Sequence, residues 1–455
     1  MKRKRSPVQT KLNFQIPNKC KTCPECKKEI DNKLFEFHAG SSDCKENLTQ
    51  ELKPNIAPSP ISTTRFTQKS FTSPNPSSLN AYDILMSTPQ ANLSQSFNLS
   101  YLGESSGRQK WACLIENKPS GTFISRKYFL KESSHDPCQI ILTASTSHQA
   151  KSPLSFYDFF RLQAFSPSII KSCLQKSIRQ GIRNKAIKLA FQMAVNCGIR
   201  ELCRRLCIIV LEDSLLHPDY PLLVWCMVAG EEYQFSQEIL ESIIQIVADI
   251  STVSYRDYIY VEKRNNLFTQ WNSSNDIVKA ILIRTYYKGM KGDMEMLSRY
   301  AMQWMERFNA NNEWIEIIRK IYYELPIWTE IEINGGLKIE DIPLQGIDFH
   351  CSNMLDILLE DQIFIAQLEE ALNKPRSQLK DYLHEAIWTQ RSGVNYRKYF
   401  NEYSSELATS LPAPDQDQPE PDEVFNSLVL PKINEFSSGE ISKRFRKSLK
   451  LLNQA

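Results

Sequence analysis

Residues 182–213 read IRNKAIKLAFQMAVNCGIRELCRRLCIIVLED. Ile182, Ala186, Leu189, Met193 and Cys197 recur every three or four residues, and after Gly198 the spacing resumes through Ile199, Leu202, Leu206 and Ile209. Such stripes line one side of a helix, so the stretch predicts two amphipathic helices meeting at a glycine. The same pattern predicts helices at about 220–230, 236–250, 275–287, 293–308, 312–323, 353–372 and 376–390. Gly181, Gly198 and Gly292 read as caps or turns between them. A mainly α fold follows, with an α-helical domain over 151–402, long enough to bury one sizeable core or two smaller ones.

On the N-terminal side the pattern fades. Residues 47–105 are rich in Ser, Thr, Pro, Asn and Gln, a composition that predicts a disordered linker. Residues 106–150 carry a small β segment. There WACLIEN from Trp111, the turn-like Lys118-Pro119-Ser120-Gly121 and TFISRKYFL ending at Leu130 suggest a β-hairpin. On the C-terminal side, 403–455 reads as an acidic linker and a basic amphipathic tail. Residues 411–425 hold four prolines and five acids. Lys443, Arg444, Arg446, Lys447 and Lys450 then alternate with Ile441, Phe445, Leu449 and Leu452.

The 455 residues carry a net charge of +3, and no apolar run approaches the length of a membrane span. The opening MKRKRSP has no apolar stretch behind its charges, so no secretory signal is expected. Of the twelve cysteines, Cys197, Cys203, Cys207 and Cys226 fall in apolar helical patterns and read as small buried hydrophobes in a reducing compartment.

Cys20, Cys23, Cys26 and Cys44 are different, because they cluster in a polar segment at 20–46. Cys23-Pro24-Glu25-Cys26 aims two thiolates at one point. His38 and Cys44 follow after eleven and five residues and can close a tetrahedral Zn2+ site, with Cys20 as an alternative fourth ligand. So short a segment cannot build a core, and bound zinc would supply folding energy on the order of 10 kcal/mol. Four protein ligands leave no open position, so the ion would be structural. Cys23, Pro24, Cys26 and His38 resemble the Cys-Cys-His-Cys ubiquitin-binding zinc fingers of DNA-repair proteins. The resemblance implies that Leu34 and Phe35 start the finger's helix and that Asp43 contacts ubiquitin. The five residues between His38 and Cys44 exceed that family's usual three.

Residues 171–205 hold nine basic residues (Lys171, Lys176, Arg179, Arg183, Lys185, Lys188, Arg200, Arg204 and Arg205) against Glu201 alone. One reading is a phosphate-tracking DNA surface through Lys176, Arg179, Arg183, Lys185, Arg204 and Arg205. The other is a solvated helix face balanced by acids elsewhere, such as Glu231, Glu232, Glu238 and Glu241. LQKSIRQG at 174–181, the helix around Ala186, CRRL at 203–206 and Glu212-Asp213 resemble the helical C-terminal region of the Werner-helicase-interacting family of replication AAA+ ATPases. Eukaryotic members of that family also carry an N-terminal ubiquitin-binding finger. No GxxxxGK[ST] phosphate loop occurs in this chain, so the resemblance implies no ATPase activity.

Within the basic arm at 1–19, Lys2, Arg3, Lys4 and Arg5 read as a nuclear-import signal. Gln9, Leu12 and Phe14 resemble the peptide that docks on the sliding clamp PCNA, with one aromatic in place of two. Glu212, Asp213 and His217, with Asp348, His350, Cys351, His384 and Glu385, could assemble a divalent-metal site. The expectation from sequence is a nuclear, non-enzymatic adaptor in DNA damage response or replication-fork maintenance. It would bind ubiquitin through the finger and DNA or protein through the helices, without membrane association. The alternative is a metal-dependent nuclease or hydrolase on the helical domain.

Overall fold

The computed structural model describes residues 20–22, 29–31, 93–119, 121–129, 138–145, 154, 166–230, 233–262, 271, 274–287, 289–311, 313–346, 351–400 and 422–440. The chain divides into two compact units, 1–84 and 85–455. In the first, β1 (Cys20–Thr22) pairs antiparallel with β2 (Glu29–Asp31), in the register Cys20↔Asp31 and Thr22↔Glu29.

The second unit is mostly helical and carries one four-stranded sheet. Its strands are β3 (Leu93–Ser105), β4 (Arg108–Glu116), β5 (Thr122–Phe129) and β6 (Cys138–Ala144), in spatial order β4-β3-β6-β5. β3 and β4 form a hairpin across Ser106-Gly107. Both turn residues have positive φ, 53° and 74°, the geometry whose twist matches the flanking strands. β3 then pairs parallel with β6, and β5 antiparallel with β6.

Two expectations are corrected here. Residues 93–105 are not linker but the longest strand of the sheet. Its polar residues misled composition because one face of the sheet is polar and buried. Ser96 Oγ lies 3.0 Å from Thr143 Oγ1, which donates to Asn98 Oδ1 at 3.0 Å. Nor do the segments at 111–116 and 122–129 pair with each other, since β4 and β5 are the opposite edges of the sheet. The hairpin turn lies earlier, at Ser106-Gly107.

The helices begin with α1 (Pro167–Arg179) and α2 (Arg183–Asp213), joined through Gly181 at φ 70°. α2 bends at Gly198, whose φ of 83° is non-helical, so the two stripes meet where the glycine placed the break. Next come α3 (Tyr220–Ala229), α4 (Gln237–Thr252), α5 (Asp276–Tyr286), α6 (Lys291–Ala310) and α7 (Trp314–Tyr323). Gly292 lies inside the first turn of α6 and caps nothing. The sheet presents Phe97, Leu99, Ile115, Ile140 and Leu142 to α3, α4 and α5 in one continuous core. Trp225 Nε1 donates to Phe97 O at 3.0 Å and Trp111 Nε1 to Ser242 Oγ at 2.9 Å, so these indoles satisfy their one polar atom across the sheet–helix boundary.

A second apolar cluster joins α8 (Cys351–Glu360), α9 (Gln362–Leu372), α10 (Arg376–Ile387) and α11, a helix over 423–440. Sequence periodicity ran α8 and α9 together. Asp361 separates them, its carboxylate accepting the N–H of Phe364 at 3.0 Å as a helix N-cap. The placement of 403–455 as linker and tail is corrected over 423–440, because Phe425, Val429 and Ile433 of α11 are buried in this cluster. α10 continues through a wider π turn, Trp388–Ser392, and the chain then returns to the main core. There β8 (Lys398–Tyr399) pairs parallel with β7 (Tyr255–Arg256).

Arg397 stands at the junction. Its guanidinium donates to Ile178 O (2.6 Å) and Arg179 O (3.0 Å) at the end of α1, and to Asp213 O (3.2 Å) at the end of α2. It also donates to Ile250 O (2.7 Å) and Val253 O (2.9 Å) at the end of α4. Helix C-termini leave carbonyls without intrahelical partners and carry partial negative charge, and one cation here serves three of them.

Candidate nucleic-acid interface

The basic run of α1 and α2 is largely spent inside the fold. Lys176 and Arg179 are each only 5 % exposed. Lys176 Nζ donates to Ser392 Oγ at 2.6 Å, and Arg179 Nη1 to Ser392 O at 2.8 Å. Arg179 also pairs through Nε with Asp213 and through Nη2 with Glu212 at 3.0 Å. Burial opposes its charge, but the two carboxylates more than compensate and hold its pKa above the ordinary value. These two residues are therefore withdrawn from the expected DNA surface, because a phosphate cannot reach them without opening the helix packing.

The other four differ in degree. Arg183 pairs with Glu332 (2.7 Å) and donates to Pro326 O (3.2 Å). Lys185 Nζ donates to Glu340 O at 3.0 Å. Arg205 donates to Gln175 Oε1, and burial lowers its pKa. Arg204 faces outward as its place on the stripe requires, 44 % exposed on its side chain, with Glu201 at 3.3 Å. Among the described ion pairs the balancing acids are Glu201, Glu212, Asp213, Glu332 and Asp341 (Lys188 pairs with Asp341 at 3.2 Å), while Glu231 and Glu232 lie outside the described residues. Periodicity can say which face is wet, but it cannot find ion pairs made across roughly 150 residues of chain.

The proposed metal constellation divides. Glu212 and Asp213 both accept from Gln175 Nε2, at 2.9 and 2.8 Å, besides binding Arg179. Burial, with Asp213 alongside, raises the Glu212 pKa. His217 is buried elsewhere, its Nε2 3.3 Å from Asp249 Oδ2. That carboxylate is clamped by Arg108 at 2.6 and 3.2 Å. Asp348 and His350 lie outside the described residues, as does the side chain of Cys351, while His384 and Glu385 sit on α10. Among the described residues no three His, Cys, Asp or Glu side chains group as a metal site. Three of the four helical cysteines match their reading as buried hydrophobes, and Cys197 is only half-buried. Cys203, Cys207 and Cys226 are buried, and burial pushes the Cys207 thiol up to about 12.

At the N-terminus the register Thr22↔Glu29 leaves residues 23–28, with Cys23 and Cys26, as the connection between β1 and β2. Cys20 lies in β1 itself. The side chains of Cys23, Cys26, His38 and Cys44 lie outside the described residues, as do those of Leu34, Phe35 and Asp43. So do Lys2, Arg3, Lys4, Arg5, Gln9, Leu12 and Phe14. No described helix is long and apolar enough to cross a membrane. No family model matches the sequence, and no match is found among curated proteins or solved structures.

Proposed function

We propose that this chain is a nuclear, non-enzymatic adaptor acting in DNA damage response or replication-fork maintenance. Its finger binds ubiquitin on a modified protein, and its helical unit binds a protein partner. The observation that carries the reading is the ligand series Cys23, Cys26, His38 and Cys44, four zinc-binding side chains in a segment too short to need buried thiols. The internal pairing of the α1–α2 cations favours protein over DNA as the helical unit's partner, because cations already bonded to carboxylates release few counterions on meeting phosphate.

The test is mono-ubiquitin capture by the full chain, with zinc content measured in parallel. One zinc per chain is expected. Cys26→Ser should lose both the metal and the ubiquitin. Zinc retained after Cys26→Ser would remove the ligand assignment, and zinc without ubiquitin capture would remove the partner. For DNA, the expected result is weak binding that Arg204→Glu leaves unchanged. A steep salt dependence, about one logarithmic unit of affinity per logarithmic unit of salt for each phosphate neutralised, would restore a DNA surface.

A further inference from the structure

Where β7 and β8 pair, the surface is basic and rich in tyrosine. The two segments 254–261 and 394–400 hold Arg256, Arg397 and Lys398 against one acid, Asp257. That acid is already engaged, because it is buried and Arg307 of α6 binds it at 2.7 and 3.0 Å, with Gln303 at 3.1 Å. Arg397 is enclosed by carbonyls. Arg256 is half-buried and Lys398 exposed, and neither pairs with a carboxylate among the described residues. The register Arg256↔Tyr399 stacks the guanidinium 4.3 Å from the centre of the Tyr399 ring, and Nη2 donates to the Tyr399 hydroxyl at 2.8 Å. Among the described hydrogen bonds, no other N–H of Arg256 is used. Tyr258 meets the same ring edge-on at 5.1 Å. Arg256 Nε and Tyr258 Oη, on either side of that ring, are buried without a hydrogen-bond partner. Both can donate, so what fits them is an acceptor. Burial lowers the Arg397 pKa and the Arg256 charge lowers it further, against the pull of Tyr322 and Asp213. Arg256 therefore adds positive potential where cations are already in excess.

We infer that this patch docks an acidic segment of the helical unit's protein partner, one carboxylate meeting the Arg256 guanidinium beside the Tyr258 hydroxyl and a second meeting Lys398. The inference rests on the protein-partner reading above. A guanidinium fork matches the two oxygens of a carboxylate. The unpaired cations of the patch are Arg256 and Lys398 alone, whereas a nucleic-acid backbone needs a track of cations to gain affinity by counterion release. Tyr396, two residues from Lys398 and 81 % exposed, offers the neighbouring partner residues a broad, rigid ring at low entropy cost.

The experiment is fluorescence anisotropy on the full chain with a labelled Glu-Gly repeat peptide, against its Gln-Gly twin. The Glu peptide should bind at least about tenfold tighter, the discrimination a charge-assisted hydrogen bond provides. Lys398→Glu, at an exposed side chain with no described ion pair to lose, should weaken the Glu peptide about fivefold. Tyr258→Phe should also weaken it about fivefold, while the melting temperature holds or rises, because in the free chain that hydroxyl has no partner to lose. A purely structural tyrosine would move affinity and melting temperature together. Equal affinity for the two peptides would overturn the proposal. So would Glu-peptide binding that either variant leaves unchanged, which would place the peptide on other cations of the chain. A DNA duplex that loses affinity with Lys398→Glu while the Glu peptide does not would make the patch a nucleic-acid contact and remove the protein-partner reading with it. Zinc content and mono-ubiquitin capture should be the same in both variants, so failure here leaves the finger's reading in place.

Discussion

Arg397 shows how much of this fold can rest on one side chain. It is 9 % exposed, and its pKa is lowered to about 10 by burial. Five backbone carbonyls from three helix ends accept its protons. Its removal takes a donor from all five. Ile178 O, Asp213 O and Ile250 O keep Gly181 N–H, Asn395 Nδ2 and Ser214 Oγ. Arg179 O and Val253 O have no other donor among the described hydrogen bonds, and a buried acceptor left without a donor costs more than the net worth of the bond itself. Arg397→Met should lower unfolding free energy by about 3 kcal/mol or more, measured as a urea midpoint shift at constant slope. Arg397→Lys should recover less than half of that, because a single ammonium cannot span three helix ends as a planar fork does. Nearby, Asp213 and Glu212 share Arg179 unequally. Asp213→Asn should cost about 3 kcal/mol, since it strips a buried guanidinium of its closest partner. Glu212→Gln should cost under about 1 kcal/mol, because that carboxylate keeps a third of its surface in water.

Among the elements, two glycines with positive φ separate backbone strain from steric exclusion. A Cβ at Gly198 would meet nothing within 4 Å, so Gly198→Ala should cost only the conformational penalty, about 1–2 kcal/mol. A Cβ at Gly121 would sit 2.5 Å from Ala144 O, so Gly121→Ala should add displacement of the β5–β6 edge and lower the melting temperature further. Asp361 supplies a pH test. The Phe364 N–H and the Lys432 ammonium hold its carboxyl below the ordinary carboxylate value. For an acid depressed in the folded state, the contribution is present above the unfolded pKa of about 4 and lost as pH falls through the folded value. Asp361→Asn should flatten the acid limb of the stability curve and leave the alkaline limb unchanged, as followed by helical circular dichroism.

These elements also show what the sequence could and could not tell. The halves of α2 were legible because an amphipathic stripe is a local property, and Gly198 marked their joint. The split at Asp361 escaped because Leu358 and Ile365, seven residues apart, keep helical spacing straight through a helix boundary. β3 escaped because its inward polar face, Ser96 and Asn98, looks like linker composition until Thr143 arrives from β6. The basic run was legible as charge but not as surface, since Glu332 and Asp341 are placed against it only by tertiary folding.

For the whole molecule, the main core and the C-terminal helical cluster are bound into one cooperative body rather than linked as beads. Lys176 and Arg179 reach forward to Ser392, and residues 395–400 reach back to the ends of α1, α2 and α4. A chain ending at residue 390 should therefore unfold at markedly lower denaturant than one ending at 400, by fluorescence of the buried tryptophans. Equal midpoints for the two would contradict this account. The ribosome adds a further consequence. Residue 397 is made 218 residues after Arg179, an interval of about 10–40 s at ordinary elongation rates. Until then three helix ends wait with their carbonyls facing water, so a nascent chain stalled within that window is a natural client for chaperones and for proteolysis, well before any function it serves could begin.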